Sequence, residues 1–214
     1  MSRCVQRLRN KPFLLEGLEK LCQQFVGPET VMAEIGCYAG ESTLMFSQHA
    51  KLIHAIDPWS GSPENTNSEI IFDFVTRRSP NIHKIKRRSE EVYQDFPNRS
   101  LDLVYLDGDH SYAAVKRDLT LWLPKVKKGG CLAGHDWDFD WSTYWKNPIP
   151  ENFPMDIPQK FHRHPVMDSY WGYNISPESK HNPGIIWPGI TRAVLDVMGE
   201  PHHVFEDSSY VFNI

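Results

Sequence analysis

An α/β fold, with a mainly parallel sheet and helices on both faces, is what this 214-residue sequence predicts. Three observations carry that prediction. Short apolar runs at Val31–Ile35, Leu52–Ile56 and Leu103–Leu106 alternate with longer stretches whose apolar residues recur at helical spacing. The runs are nearly continuous rather than alternating, which suits strands covered on both faces. Each run also stops at glycine or carboxylate: Gly36, Asp57 and Asp107. Strands alternating with helices call for right-handed crossovers between parallel neighbours.

The elements follow in order. Leu14, Leu18, Leu21 and Phe25 form a helical stripe, opened by Pro12 and stopped by Gly27-Pro28. Val31–Ile35 is the first strand, and Glu41–Ser47 a helix beyond the glycine loop. Leu52–Ile56 is the second strand, leaving through the polar link Pro58–Asn67, in which Trp59 lies on the ligand side. Ile70, Ile71, Phe74 and Val75 mark a helix running to Arg78, and Ile82–Arg87 a weak third strand. Ser89 reads as the N-cap of the next helix. The basic cluster Arg77, Arg78, Lys84, Lys86, Arg87 and Arg88 reads as a solvated edge, since acidic residues follow at once. Ser111 caps a helix with the stripe Val115, Leu119, Trp122, Leu123, closed by Lys127-Lys-Gly-Gly; Cys131–Gly134 is the fifth strand. Ile190, Val194, Val197 and Met198 form a last helix. His203–Glu206 and Tyr210–Phe212 close the chain as an antiparallel pair.

Composition fits one domain over residues 1–214: 40% of residues are hydrophobic, enough for a sizeable core. A net charge of −4 gives no call for nucleic acid or a membrane surface. The basic N-terminus lacks the apolar stretch of a secretory signal, and no run approaches the ~20 residues of a membrane helix. Four scattered cysteines without a Cys-x-x-Cys pair fit free thiols in a reducing compartment, so the expected location is cytoplasmic. No internal repeat is visible, and self-association stays open.

The first strand and its loop spell Glu34-x-Gly36-x-x-x-Gly40. Neither Gly-x-Gly-x-x-Gly nor a closing Gly-Lys-Ser/Thr is present, so the phosphate-cradling spacings are missing. Glu34, just before the turn, would repel a pyrophosphate and attract a cation. Asp57, at the end of the second strand, can accept hydrogen bonds from both hydroxyls of a ribose. A ligand with a ribose, no phosphates and a positive centre fits S-adenosyl-L-methionine. Here the chain resembles the class I methyltransferases, whose first motif reads Glu/Asp-x-Gly-x-x-x-Gly. The resemblance implies a Rossmann-like, seven-stranded sheet with an antiparallel last strand. It also implies a cofactor site at Glu34, Gly36, Cys37, Tyr38, Gly40, Asp57 and Asp107, with Ser89 and Glu90 beside the adenine.

The second informative block runs Asp102-Leu-Val-Tyr-Leu-Asp-Gly-Asp-His-Ser-Tyr, then Asp118-Leu, Lys128-Gly-Gly and Gly134-His-Asp-Trp. Two neighbouring strand ends thus carry Asp107, Asp109, His110, His135 and Asp136 to one edge, where open parallel sheets bind ligands. The block is similar to the small-molecule O-methyltransferase branch, catechol-type and antibiotic-sugar enzymes of the family-24 kind, over about residues 28–137. That resemblance implies a divalent cation, Mg²⁺ or Mn²⁺, held by Asp107 or Asp109 together with Asp136. His135 stands where relatives usually offer a carboxylate or amide.

The expected reaction is methylation of a hydroxyl on a small-molecule acceptor (a sugar, phenol or natural product), assisted by metal or by a general base drawn from Asp107, His110 and His135. Two rivals use the same residues differently: a metal-dependent hydrolase working through the Asp/His cluster, and a catalytically silent protein that binds the nucleoside only. Residues 137–188, dense in Trp, Tyr, His and Pro and leaving from the fifth strand, are expected to form the acceptor-site wall or lid, with a subunit interface as the alternative.

Overall fold

The computed structural model describes residues 12–60, 67–137 and 188–214. In chain order these hold α1 (Pro12–Phe25), β1 (Val31–Ile35), α2 (Glu41–Ser47), β2 (Leu52–Ile56), α3 (Ser68–Thr76), β3 (Ile82–Ile85), α4 (Ser89–Val92), β4 (Leu101–Leu106), α5 (Tyr112–Trp122), β5 (Val126–Gly134), α6 (Pro188–Val197), β6 (His203–Val204) and β7 (Tyr210–Asn213). The expected 137–188 insert lies outside the described residues, apart from its two ends.

The strands pair in the order β3-β2-β1-β4-β5-β7-β6. β1 to β5 are parallel neighbours, and β7 runs antiparallel to both β5 and β6. The order reverses at β1, which pairs with β2 on one side and β4 on the other. Loops leaving the carboxyl ends of β1, β2, β4 and β5 therefore open on one side of the sheet, around that switch point.

The sheet is covered on both faces. On one, Phe96, Val115, Leu119 and Trp122 pack with Ile190, Ala193 and Val194, so α5 and α6 lie together over β4 and β5. On the other, Leu21, Cys22, Phe46, Phe72 and Phe205 cover Met32, Ile53 and Leu103. Burying aliphatic and aromatic side chains of this size contributes about 1.5–3 kcal/mol each, which is what holds two helical layers on the sheet.

Several boundaries shift for identifiable reasons. β3 stops at Ile85, and the Arg87 N–H turns back to the Ile85 carbonyl (3.0 Å). Arg88 rather than Ser89 caps α4, its N–H donating to the Glu91 carboxylate (3.3 Å), while the Ser89 hydroxyl is drawn to Asp118 of α5 (2.6 Å). Lys127–Gly130 lies inside β5 instead of ending a helix; α5 gives way to a 3₁₀ turn at Leu123–Lys125, and a bulge opposite Leu101–Leu103 absorbs the register. The basic edge is paired: Lys84 meets Glu69 and Asp73, Lys86 meets Glu69, and Arg87 meets Asp95. Among the described residues Cys22, Cys37 and Cys131 are buried free thiols, and no helix is long and apolar enough to cross a membrane.

Candidate active site

Gly36 and Gly40 take φ of +88° and +84°, the left-handed region that only glycine enters freely. At Gly36 space also matters, since a Cβ would sit 2.1 Å from the Asp107 carbonyl oxygen. The first loop thus packs backbone to backbone against the loop after β4. It is tied to β2 as well: the Tyr38 N–H donates to one Asp57 carboxylate oxygen (2.9 Å) and the Trp59 N–H to the other (2.6 Å). The Trp59 indole closes the ring by donating to the Tyr38 carbonyl (2.7 Å). Tyr38 and Trp59 both adopt positive φ, an uncommon state for such side chains and one that clusters at ligand sites.

Burial pushes the Asp57 carboxyl up, and the backbone N–H groups of Trp59 and Tyr38 pull it back. Each carboxylate oxygen accepts more than one hydrogen bond, so Asp57 keeps capacity for ribose hydroxyls. Glu34 is fully buried, and burial raises it to about 7 against the pull of the Ser42 hydroxyl, which donates to Oε1. Its Oε2 is buried without a hydrogen-bond partner. A buried carboxylate oxygen left unpaired costs free energy that a cationic ligand would recover.

The remaining expected cofactor residues divide. Cys37 turns its thiol inward, toward the carbonyls of Glu34 (3.5 Å) and Ile56 (3.7 Å), so only its backbone belongs to the loop surface. Ser89 is buried against Asp118, and Glu90 pairs with Arg117 (3.5 Å). Asp118, pushed up to about 6 by burial, lines a cleft at the carboxyl ends of β4 and β5.

The carboxyl ends of β4 and β5 build the reactive end. The Asp107 N–H continues the ladder to the Ile35 carbonyl (2.8 Å), and the His135 N–H reaches the Leu106 carbonyl (3.1 Å). His110 Nε2 lies between two carboxylates, 3.3 Å from Asp107 Oδ1 and 3.2 Å from Asp136 Oδ2. One ligand atom from each of Asp107, His110 and Asp136 falls within 4.8 Å of the others, enough to enclose one cation. Asp109 stands outside this set; its Oδ1 accepts the Ser111 N–H (2.9 Å) in the turn that starts α5. Asp136 takes φ +65°, a strained setting for a non-glycine residue. Its other oxygen meets His135 Nδ1 (3.1 Å).

Charge explains the protonation. Burial alone would lower both imidazoles, but Asp107 and Asp136 overcome it and hold His110 at about 10. His135 is held at about 9 by Asp136, Asp107 and Asp207. Asp136 is kept well below the ordinary carboxylate range, the charges and hydrogen bonds of His135 and His110 outweighing its burial. Neither imidazole is then a free base at neutral pH. What the arrangement supplies is a pair of carboxylates that require a cation between them, whether imidazolium or metal.

Four contributors to the site are not visible as such in the linear sequence. Asp207, nearly inaccessible, lies 3.9 Å from His135 Nε2 and belongs to the β6–β7 turn. Ile190 and Tyr210 line the cleft with Asp107, His110 and His135 although they come from beyond residue 187. Gly189 lets α6 approach the backbone of Tyr112 and His110, with 2.7 and 2.8 Å from a Cβ placed there. Only topology brings these residues in.

The strand order, the antiparallel β7 and the acid-glycine loop facing Asp57 together define a class I methyltransferase domain. Residues 33–137 match the family described as a methyltransferase domain. The chain is 30% identical over 135 residues to uncharacterized protein R132 of Acanthamoeba polyphaga mimivirus, covering 58% of this chain and 60% of that protein. It is 24% identical over 161 residues to uncharacterized protein y4gI of Sinorhizobium fredii (strain NBRC 101917 / NGR234), covering 68% of this chain and 17% of that one. The chain therefore spans less than two thirds of the length of either relative. Among solved structures, a phosphoethanolamine N-methyltransferase 1 of Haemonchus contortus in complex with phosphoethanolamine and S-adenosylhomocysteine aligns with TM-score 0.48 and 13% identity, over 62% of this chain and 28% of that one. A precorrin-6y C5,15-methyltransferase of Geobacter metallireducens GS-15 aligns with TM-score 0.47 and 18% identity, over 61% and 65% of the two chains.

Proposed function

We propose that this protein transfers a methyl group from S-adenosylmethionine to a hydroxyl of a small acceptor, with the Asp107–His110–Asp136 cluster handling the acceptor proton. The observation that carries the reading is the hydrogen bond from the Tyr38 N–H to Asp57, which draws the glycine loop and the ribose-accepting acid into one surface at the switch point. The fit of the cofactor rests on this chain's own residues. Asp57 offers acceptors for two ribose hydroxyls, the Gly36–Gly40 loop offers close backbone, and the unpaired Oε2 of Glu34 suits a positive ligand.

When bound, S-adenosylmethionine supplies a methyl group already activated on sulfonium. The protein's share is positioning and proton handling. Ile190, Val115, Leu106 and Tyr210 give the cleft an apolar wall, while Asp107, Asp109, His110, Asp118 and His135 give it polar groups. Asp107 and Asp136 are placed to hold a divalent cation with His110, a donor set of two oxygens and one nitrogen. Mg²⁺ prefers oxygen alone; Mn²⁺ tolerates an imidazole, so Mn²⁺ is the better match. A cation held there would lower the pKa of an acceptor hydroxyl. Without one, His110 must lose its proton to act as base, which its two carboxylates oppose at neutral pH.

Calorimetry with S-adenosylhomocysteine tests the cofactor assignment directly. Asp57→Ala is expected to weaken binding by about 1.5–3 kcal/mol, because a charged acceptor is removed from two hydroxyls. Wild-type affinity in that variant would defeat the reading. Exhaustive EDTA treatment followed by separate return of Mg²⁺ and Mn²⁺ tests the cation: activity is expected to vanish and to return best with Mn²⁺. Full activity in EDTA, with Asp136→Asn still active and His110→Ala dead, would leave general-base catalysis instead.

A further inference from the structure

Two histidines outside the candidate active site form a pair that the methyl-transfer reading does not use. His54 of β2 and His83 of β3 are directly opposed in the parallel register. Both side chains stand on the sheet face that carries Phe96, and the His54 ring packs edge-on against Phe96, with centroids 5.0 Å apart. Their Nδ1 atoms approach to 3.3 Å, with the rings inclined at 69°. The pair sits within the strands, away from the carboxyl-end loops.

That separation allows a hydrogen bond between one neutral ring and the other, and it is also the span that a shared cation would set. Two imidazole nitrogens at about 2.0–2.1 Å from one tetrahedral ion stand about 3.3–3.4 Å apart. Square-planar coordination at similar bond lengths would bring them to about 2.9 Å. The observed spacing therefore matches a tetrahedral bite better than a square-planar one. His54 is half-buried against an aromatic ring that restricts its motion, while His83 is exposed, leaving the outer side of the pair open to solvent. Burial, and then the charge of His83, lowers His54, which keeps its imidazole neutral and its lone pair available near pH 7.

We propose that His54 and His83 form a two-imidazole site for a tetrahedral divalent cation of the Zn²⁺ type, with solvent completing the shell. A cation there clamps the edge strand β3 to β2, the strand that carries Asp57 at its end.

The test is zinc titration of the full chain by calorimetry, comparing wild type with His54→Ala and His83→Ala. The variants share the Asp107–His110–Asp136 cluster with the wild type, so the difference between them isolates this pair. Wild type is expected to bind one more Zn²⁺ than either variant, or to bind that ion at least about tenfold more tightly, since even an indirect ligand contact is worth that much. Zn²⁺ should also raise the melting temperature of the wild type more than that of His83→Ala, whose exposed side chain can be removed without disturbing the core. Because His83→Ala keeps the buried ring in place, it decides the matter if His54→Ala fails to fold. Equal stoichiometry and affinity in wild type and His83→Ala would overturn the proposal, as would tighter binding of Cu²⁺ in a square-planar spectrum. S-adenosylhomocysteine affinity is read in the same samples, so failure of the zinc site stays distinct from failure of the methyltransferase reading.

Discussion

Glu34 carries a conflict at the scale of a single residue. Folded, it keeps its proton up to about pH 7, whereas an ordinary glutamate releases it near 4.5. Between those values the folded state binds more protons than the unfolded one, so stability falls as pH rises through that window and levels off above it. The move corresponds to about 3 kcal/mol at most. Glu34→Gln removes the titration while keeping the shape. The variant is expected to match the wild type in denaturant unfolding at pH 5 and to exceed it by up to about 3 kcal/mol at pH 8. At the same time it should bind S-adenosylhomocysteine more weakly, because the unpaired Oε2 no longer offers a charge to a cationic group. A difference in stability that does not vary with pH would show that Glu34 is not the titrating group.

At the scale of elements, glycines at strand ends decide how close two loops come. Gly36→Ala forces a Cβ into the Asp107 carbonyl at a φ that disfavours L residues, so a loss of at least about 2 kcal/mol in thermal or denaturant unfolding is expected. The sequence suggests the ligand as the reason for that glycine; the structure adds the β4 loop as its immediate neighbour. Ser111 has a milder part, accepting the Ala114 N–H at 3.4 Å, and Ser111→Ala should cost about 1 kcal/mol or less. Such local features were legible in the sequence because they depend on near neighbours: Gly36 follows its strand, and Ser111 precedes its helix. Ser89 misled because a tertiary partner, Asp118, competes for its hydroxyl. The Lys127–Gly130 run misled because strand pairing with β4 outweighed the glycines' preference for a turn. Asp109 and His110 show the limit of spacing. The sequence puts both beside Asp107, but only the turn geometry says that Asp109 folds back on Ser111 while His110 reaches Asp136.

At the scale of the molecule, β1 as the point of reversal gathers the acid-glycine loop, Asp57 and Asp107 on one edge, while β5 and β7 hold His135 beside Asp207. Every residue proposed to hold the cofactor lies before residue 108, in the part that matches the methyltransferase family. The chain leaves that part at Trp137, whose N–H is fixed to the Ser208 carbonyl (3.0 Å), and returns at Gly189, packed on the backbone of His110 and Tyr112. Both ends of the stretch between them are therefore anchored beside the Asp107–His110–Asp136 cluster. Its density of tryptophan, tyrosine and histidine suits stacking against an acceptor. Deleting residues 146–182 is expected to leave S-adenosylhomocysteine binding intact by calorimetry and to abolish turnover, the signature of a segment that serves the acceptor alone. Loss of an oligomer on size-exclusion chromatography with turnover retained would assign the stretch to a subunit interface. Loss of cofactor binding would place part of the cofactor site within it.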